Sequence, residues 1–194
     1  MDIDTLGMLY VDELKDLYSA ETQILKALPR MVKAAAHPEL KRAFETHLRQ
    51  TETHVARIEQ ICADLGVTPK GKKCVGMEGC IKEGSELIAE KPERDVLDAG
   101  LISKAQHVEH YEMAGYGSVR SWAQKLGHER HAEMLQLTLD EERQTDQLLT
   151  ALAERTINID AASHDEYVGT MGRTSHRKAG ARVTRSPNDR PSAR

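Results

Sequence analysis

The chain has 194 residues, a hydrophobic fraction of 39% and a formal net charge of −4. That length holds one domain, or one domain with a tail, and the near-neutral charge implies no acidic or basic partner for the chain as a whole. No apolar run approaches a bilayer span, MDIDTLG lacks a secretory pattern, and Cys62, Cys74 and Cys80 form no CxxC pair, so the expectation is a soluble protein of a reducing cytoplasm without disulfides or a zinc knuckle.

Alternating Val/Ile/Thr-rich runs are scarce, and Ala, Leu, Glu, Lys, Gln and Arg dominate, which favours helix. The first long helix is predicted over residues 5–36, with apolar positions Leu6, Tyr10, Leu14, Leu17, Ile24, Leu28 and Met31 at helical spacing. Pro29 inside it predicts a kink, and His37-Pro38 ends it. The second runs over about 38–65, through Leu40, Phe44, Leu48, Val55, Ile58 and Ile61, and stops at Gly66 with Pro69 beyond. Residues 67–92 connect, with a short helix in MEGCIKEGSELIAE. The third long helix covers about 94–126 up to Gly127, and the fourth about 128–155.

Tight links join the first helix to the second and the third to the fourth, so each pair should be an antiparallel hairpin. The connection between the hairpins is long enough to cross a bundle. The predicted fold is therefore all-α: a ferritin-like four-helix bundle of two antiparallel hairpins with a long crossover carrying a short extra helix. A simple up-down bundle fits the same lengths. The bundle domain is placed at 1–159 and a disordered basic tail at 160–194. Residues 161–194 hold seven Lys/Arg against three Asp/Glu and show no periodic apolar face. Arg173, Arg177, Lys178, Arg182 and Arg185 have no interleaved aromatics, so a solvated tail is expected in place of a nucleic-acid contact.

Each long helix interrupts its apolar stripe near the middle. Glu21 does so on the first, between Leu17 and Ile24. On the second the stripe passes through Phe44, His47, Thr51, His54 and Ile58, with Gln50 beside it. Glu112 interrupts the third, and Glu109 lies one turn earlier. The fourth carries Glu142 and Asp146 between Leu139 and Leu149. Glu21 precedes Gln50 by 29 residues and His54 by 33; Glu112 precedes Glu142 by 30 and Asp146 by 34. One plan is thus repeated, a carboxylate on the first helix of a hairpin and an i, i+4 pair of candidate ligands on the second. Buried carboxylates are costly unless paired or bound to a cation. Two divalent metals would relieve that cost, as in carboxylate-bridged bundles. Against this stands the plain reading of each residue alone: a lone Glu snorkels to water, and a lone His is hydrogen-bonded.

The segments YSAETQILKALPRM, FETHLRQTETHVARIEQ, KKCVGMEGCIKEGSELI, AQHVEHYEMAGYGS and LTLDEERQTDQLLTALA, in this order over about residues 5–157, resemble the bacterial ferritin-like family typified by YciF. The resemblance implies a four-helix ferritin-like bundle with a short helix in the crossover, homodimers, a link to bacterial stress responses and a metal site like that of rubrerythrin. By resemblance Glu21, Glu109, Glu112, Glu142 and Asp146 match the family's ligand positions. The second helix departs from it, because Arg49 and Gln50 stand where relatives carry carboxylates. Gln50 is a weak neutral donor, and His54 is the compensating candidate, since imidazole suits iron, manganese or zinc. The expected metal ligands are therefore Glu21, His54, Glu109, Glu112, Glu142 and Asp146, binding one or two ions of iron or manganese. The expected chemistry is oxidation of Fe(II) by oxygen or peroxide. The alternative is a non-catalytic dimeric stress or interaction protein with a vestigial site. A homodimer through helix faces is expected to cover Leu9, Leu25 and Tyr116.

Overall fold

The computed structural model describes residues 3–163, which form helices and no strand. Five α-helices follow one another: α1 at Leu6–Ala34, α2 at Pro38–Asp64, α3 at Val75–Glu90, α4 at Arg94–Lys125 and α5 at Glu129–Leu152. A π-helical turn at Ala153–Ile157 continues α5, and residues 158–163 remain helical. The expected disordered tail falls, from residue 164 onward, outside the described residues.

Local chemistry explains the boundaries. Thr5 caps α1 by accepting the Met8 amide at 3.1 Å, and Pro38 opens α2, where its missing N–H costs nothing. α2 ends at Gly66 and α4 at Gly127, with φ of 68° and 76°. These left-handed residues let the Val67 amide reach Cys62 O at 2.9 Å and the His128 amide reach Ala123 O at 2.9 Å, closing each helix end. α1 passes through Pro29 as one continuous helix.

α1 packs on α2, α4 on α5, α1 on α4 and α2 on α5, while α3 lies against α1 and α4. Asp98 of α4 fixes the turn between α1 and α2. Its buried carboxylate accepts the Ala36 amide at 2.9 Å and the His37 amide at 2.7 Å. The start of α3 is held equally firmly. The Cys74 amide donates to Ser19 Oγ at 2.9 Å, Gln23 donates to Cys74 O at 3.0 Å, and Cys74 Sγ lies 3.0 Å from Tyr111 Oη. Tyr111 in turn donates to Asp16 at 3.0 Å. Gly76 lies flat against that ring, and a Cβ there would fall 2.6 Å from Tyr111 Cε2. The KKCVGMEG stretch is thus a docking element that ties α3 to α1 and α4.

The interior has two separate apolar cores. One gathers Ile24, Leu28, Leu40, Phe44, Met77, Leu101, Leu149 and Leu152. The other gathers Tyr10, Leu14, Leu17, Ile58, Ile61, Val119, Leu135 and Leu139. On every one of the four long helices, the residues between these two sets are polar and buried: Glu21, then His47, Thr51 and His54, then Glu109 and Glu112, then Glu142. Apolar layers on both sides bury these residues, while Asp146 stays partly exposed. The structure corrects one placement. Tyr116 is not on an outer face but fully buried, and its hydroxyl donates to Glu21. A phenol can enter the core there because the carboxylate accepts its proton.

Candidate metal centre

The polar layer converges on itself. His47, Glu109, Glu112 and Glu142 each offer a ligand atom within 4.8 Å of the others, and so do Glu21, His54 and Glu142. Glu142 belongs to both sets. His54 Nδ1 lies 2.9 Å from Glu142 Oε1 and 3.3 Å from Glu21 Oε1. His47 Nε2 lies 3.3 Å from Glu109 Oε1, and His47 Nδ1 lies 3.9 Å from Glu142 Oε2. All six side chains are at most 3% exposed.

These groups are poorly satisfied by protein alone. Glu21 Oε2, His47 Nε2, His54 Nδ1, Glu109 Oε2, and both carboxylate oxygens of Glu112 and of Glu142 are buried without a hydrogen bond of good geometry. Native interiors rarely leave such atoms unpaired, since each costs about 1–3 kcal/mol. So many oxygens and imidazole nitrogens aimed at one space make a donor set that could hold a metal ion.

The electrostatics agree. Burial, joined by the charges of Glu142 and Glu21, pushes Glu109 and Glu112 far above the usual carboxylate range. Burial also works against charge on His54, but its contacts with Glu142 and Glu21 outweigh this and raise it to about 10. Burial likewise disfavours the Glu142 carboxylate, yet His54 pulls it down to about 2. His47, dominated by burial, is lowered. Burial, reinforced by Glu21, carries the Tyr116 phenol well upward. Without a cation, charge in the layer is favoured on the His54–Glu142 pair and disfavoured on Glu109 and Glu112.

A second layer orients the imidazole. His54 Nε2 lies 2.9 Å from Glu141 Oε2, and Arg57 grips both oxygens of Glu141. A carboxylate on Nε2 directs Nδ1 toward the centre, the arrangement usual for metal-bound histidines.

Of the six residues expected from sequence, the fold brings Glu21, His54, Glu109, Glu112 and Glu142 together. Asp146 lies apart, outside both sets. It accepts from Gln106 at 2.9 Å and sits 3.3 Å from the exposed His110. One helical turn past Glu142, its side chain has rotated toward the α4 surface. His47 takes a place that was not assigned to it. Its signal was present, since it lies seven residues before His54 and so on the same helix face. Gln50 is half-buried and lies next to His47.

A family profile described as a domain of unknown function (DUF892) matches residues 5–162. Protein YciF of Escherichia coli (strain K12) is 40% identical over 159 residues, covering 81% of this chain and 96% of the relative. The crystal structure of that E. coli stress protein superposes with a TM-score of 0.77 at 39% identity, over 80% of this chain and 99% of the other. YcfI from Rhodopseudomonas palustris gives 0.74 at 39% identity, over 77% and 95%. A protein from Xanthomonas campestris pv. campestris gives 0.65 at 18% identity, over 83% and 99%, which shows likeness of fold alone. The chain belongs to the DUF892 family.

Proposed function

We propose that this DUF892 member is a ferritin-like metal-binding protein of the bacterial stress response. Its carboxylate and histidine layer would hold two ions of iron or manganese and oxidise Fe(II) with oxygen or peroxide. The observation that carries this reading is the set of fully buried oxygens and nitrogens on Glu21, His47, His54, Glu109, Glu112 and Glu142 that lack a hydrogen bond of good geometry. The ferritin-like arrangement is part of the proposal. Its support is that α1 packs on α2, α4 packs on α5, and α3 with its flanking turns spans the two pairs.

In this reading Glu142 would serve both ions, Glu21 and His54 one of them, and His47, Glu109 and Glu112 the other. Bound iron or manganese would supply one-electron redox chemistry. The protein's own part is to hold the site. Glu141 and Arg57 fix the His54 ring, Tyr116 fixes Glu21, and the two apolar cores keep bulk water away. Anaerobic Fe(II) titration tests the proposal. Two ions per chain, with a di-ferric absorption band on adding oxygen, are expected; no stoichiometric binding would end it.

The rival reading is a non-catalytic scaffold with a vestigial site. It draws on α2, where Arg49 is exposed and Gln50 contacts His47. The same titration separates the two. We also propose a homodimer through helix faces and a cytoplasmic setting. Among the described residues no helix is long and apolar enough to cross a membrane. Leu137 and Leu148 are three turns apart on α5 and more than half exposed, so they suit a partner helix. Light scattering should give twice the chain mass.

A further inference from the structure

Beneath α3 a narrow cavity of about 40 Å³ runs between α1, α2 and α4. Ile24, Leu28, Phe44, Ile81, Ala105 and Val108 contribute its walls. Its buried end reaches His47 and Glu109, which stand 3.3 Å apart at the edge of the metal centre. Its outer part is flanked by the exposed Arg30 and by Lys104, whose ammonium is paired with Glu83 at 2.9 Å.

Size and polarity restrict what can pass. An organic substrate needs a pocket of roughly 300–1,000 Å³. A water-sized molecule needs only about 10–15 Å³. A divalent cation would have to shed its hydration shell against hydrocarbon and pass cationic side chains, which is strongly unfavourable. Hydrogen peroxide would lose its hydrogen bonds to water along apolar walls with few partners. A neutral, apolar, diatomic molecule meets neither obstacle.

We infer that the cavity under α3 conducts dioxygen to the His47–Glu109 side of the metal centre, by a route that hydrogen peroxide does not share. This rests on the metal-binding reading proposed above. Two bound Fe(II) ions would supply one electron each to dioxygen, which with two protons from water would give hydrogen peroxide, released by a way other than this apolar cavity. The short helix in the crossover thus gains a role, because α3 roofs the passage with Ile81, Gly84 and Ile88.

Crystals of the metal-free protein pressurised with xenon test the cavity directly. Xenon density among Ile24, Leu28 and Val108 is expected, and its absence would overturn the route. Ala105→Leu fills the same space. In that variant xenon should be lost and dioxygen-driven oxidation of preloaded Fe(II) should slow at least about ten-fold, while Fe(II) stoichiometry and the peroxide-driven rate stay unchanged. Equal slowing with both oxidants, or no slowing with either, would overturn the inference. Should Ala105→Leu lose helix content, xenon pressure on the unaltered protein replaces it: the dioxygen reaction should slow and the peroxide reaction should not. A protein that takes up xenon but binds no Fe(II) sinks the metal reading, and with it the route.

Discussion

Glu142 sets one carboxylate oxygen 2.9 Å from His54 Nδ1 and the other 3.9 Å from His47 Nδ1, so a single side chain on α5 spans both halves of the polar layer. The other ligand candidates each belong to one half. Removing Glu142 should therefore be worse than removing any other single residue. Glu142→Ala is expected to bring bound metal close to zero, whereas Glu21→Ala should leave about one ion per chain. Elemental analysis of dialysed protein measures both. Equal losses in the two variants would show that Glu142 is not shared.

Loading the centre should release protons. At neutral pH the metal-free protein holds a proton on His54, raised to about 10, and burial with the neighbouring carboxylates pushes Glu109 and Glu112 toward their protonated forms. Metal ligands must be deprotonated. At least about one proton, that on His54, should leave for a fully loaded site, and more as Glu109 and Glu112 give up theirs. Calorimetry of Mn(II) binding in buffers of different ionisation enthalpy reads this number. Release below one proton would mean that the buried carboxyls are already ionised and the layer more hydrated than its burial indicates.

Much of this was legible in the chain. The helix bounds followed from apolar spacing and from Gly66 and Gly127, because left-handed caps leave a clear mark. That Glu21, His54, Glu109, Glu112 and Glu142 come together in one buried layer followed from stripe interruptions, since a polar side chain between two apolar cores is conspicuous. Asp146 lies beside Gln106 and His110 and not in the layer, because i, i+4 spacing fixes a face to within a helical turn but not a side chain's direction. Tyr116 looked like an outward aromatic because periodicity cannot show that Glu21 waits to accept its hydroxyl. Glu141 gave no signal at all. Its role depends on Arg57 and His54 of another helix, a pairing that no local pattern encodes.

The docking of α3 should depend on having no side chain at position 76. A Cβ there would meet the Tyr111 ring at 2.6 Å, and that ring also contacts Cys74 and Asp16. Gly76→Ala would ordinarily strengthen a helix by up to about 1 kcal/mol. Here the clash should dominate, with a net loss of about 1–3 kcal/mol. Denaturant unfolding gives the sign. Gly79→Ala in the same helix is the control, because its Cβ meets nothing within 4 Å and it should be neutral or stabilising. If both variants are stabilised, Tyr111 has room to move and the α3 anchor is looser than its contacts imply.

The stability of the metal-free protein should fall toward alkaline pH. Glu109 and Glu112 have folded-state values above their ordinary 4.5. Between those limits the folded chain holds more protons than the unfolded one, so rising pH favours unfolding. His54 acts in the same direction higher up: its contribution is complete below 6.5 and lost as pH climbs through about 10. Glu142 is opposite, because its stabilising contribution is present above 4.5 and lost as pH falls toward about 2. Replacing Glu112 by its neutral isostere should remove part of the alkaline loss. At pH 8, metal-free Glu112→Gln is expected to melt above the parent by about 2–4 °C for each kcal/mol of relieved charge burial. Adding Mn(II) should reverse the order, since metal binding to the folded state alone stabilises the parent by mass action and the variant less. A parent whose melting temperature is flat from pH 5 to 9 and unmoved by Mn(II) would show that these carboxyls neither carry the strain nor hold the ion.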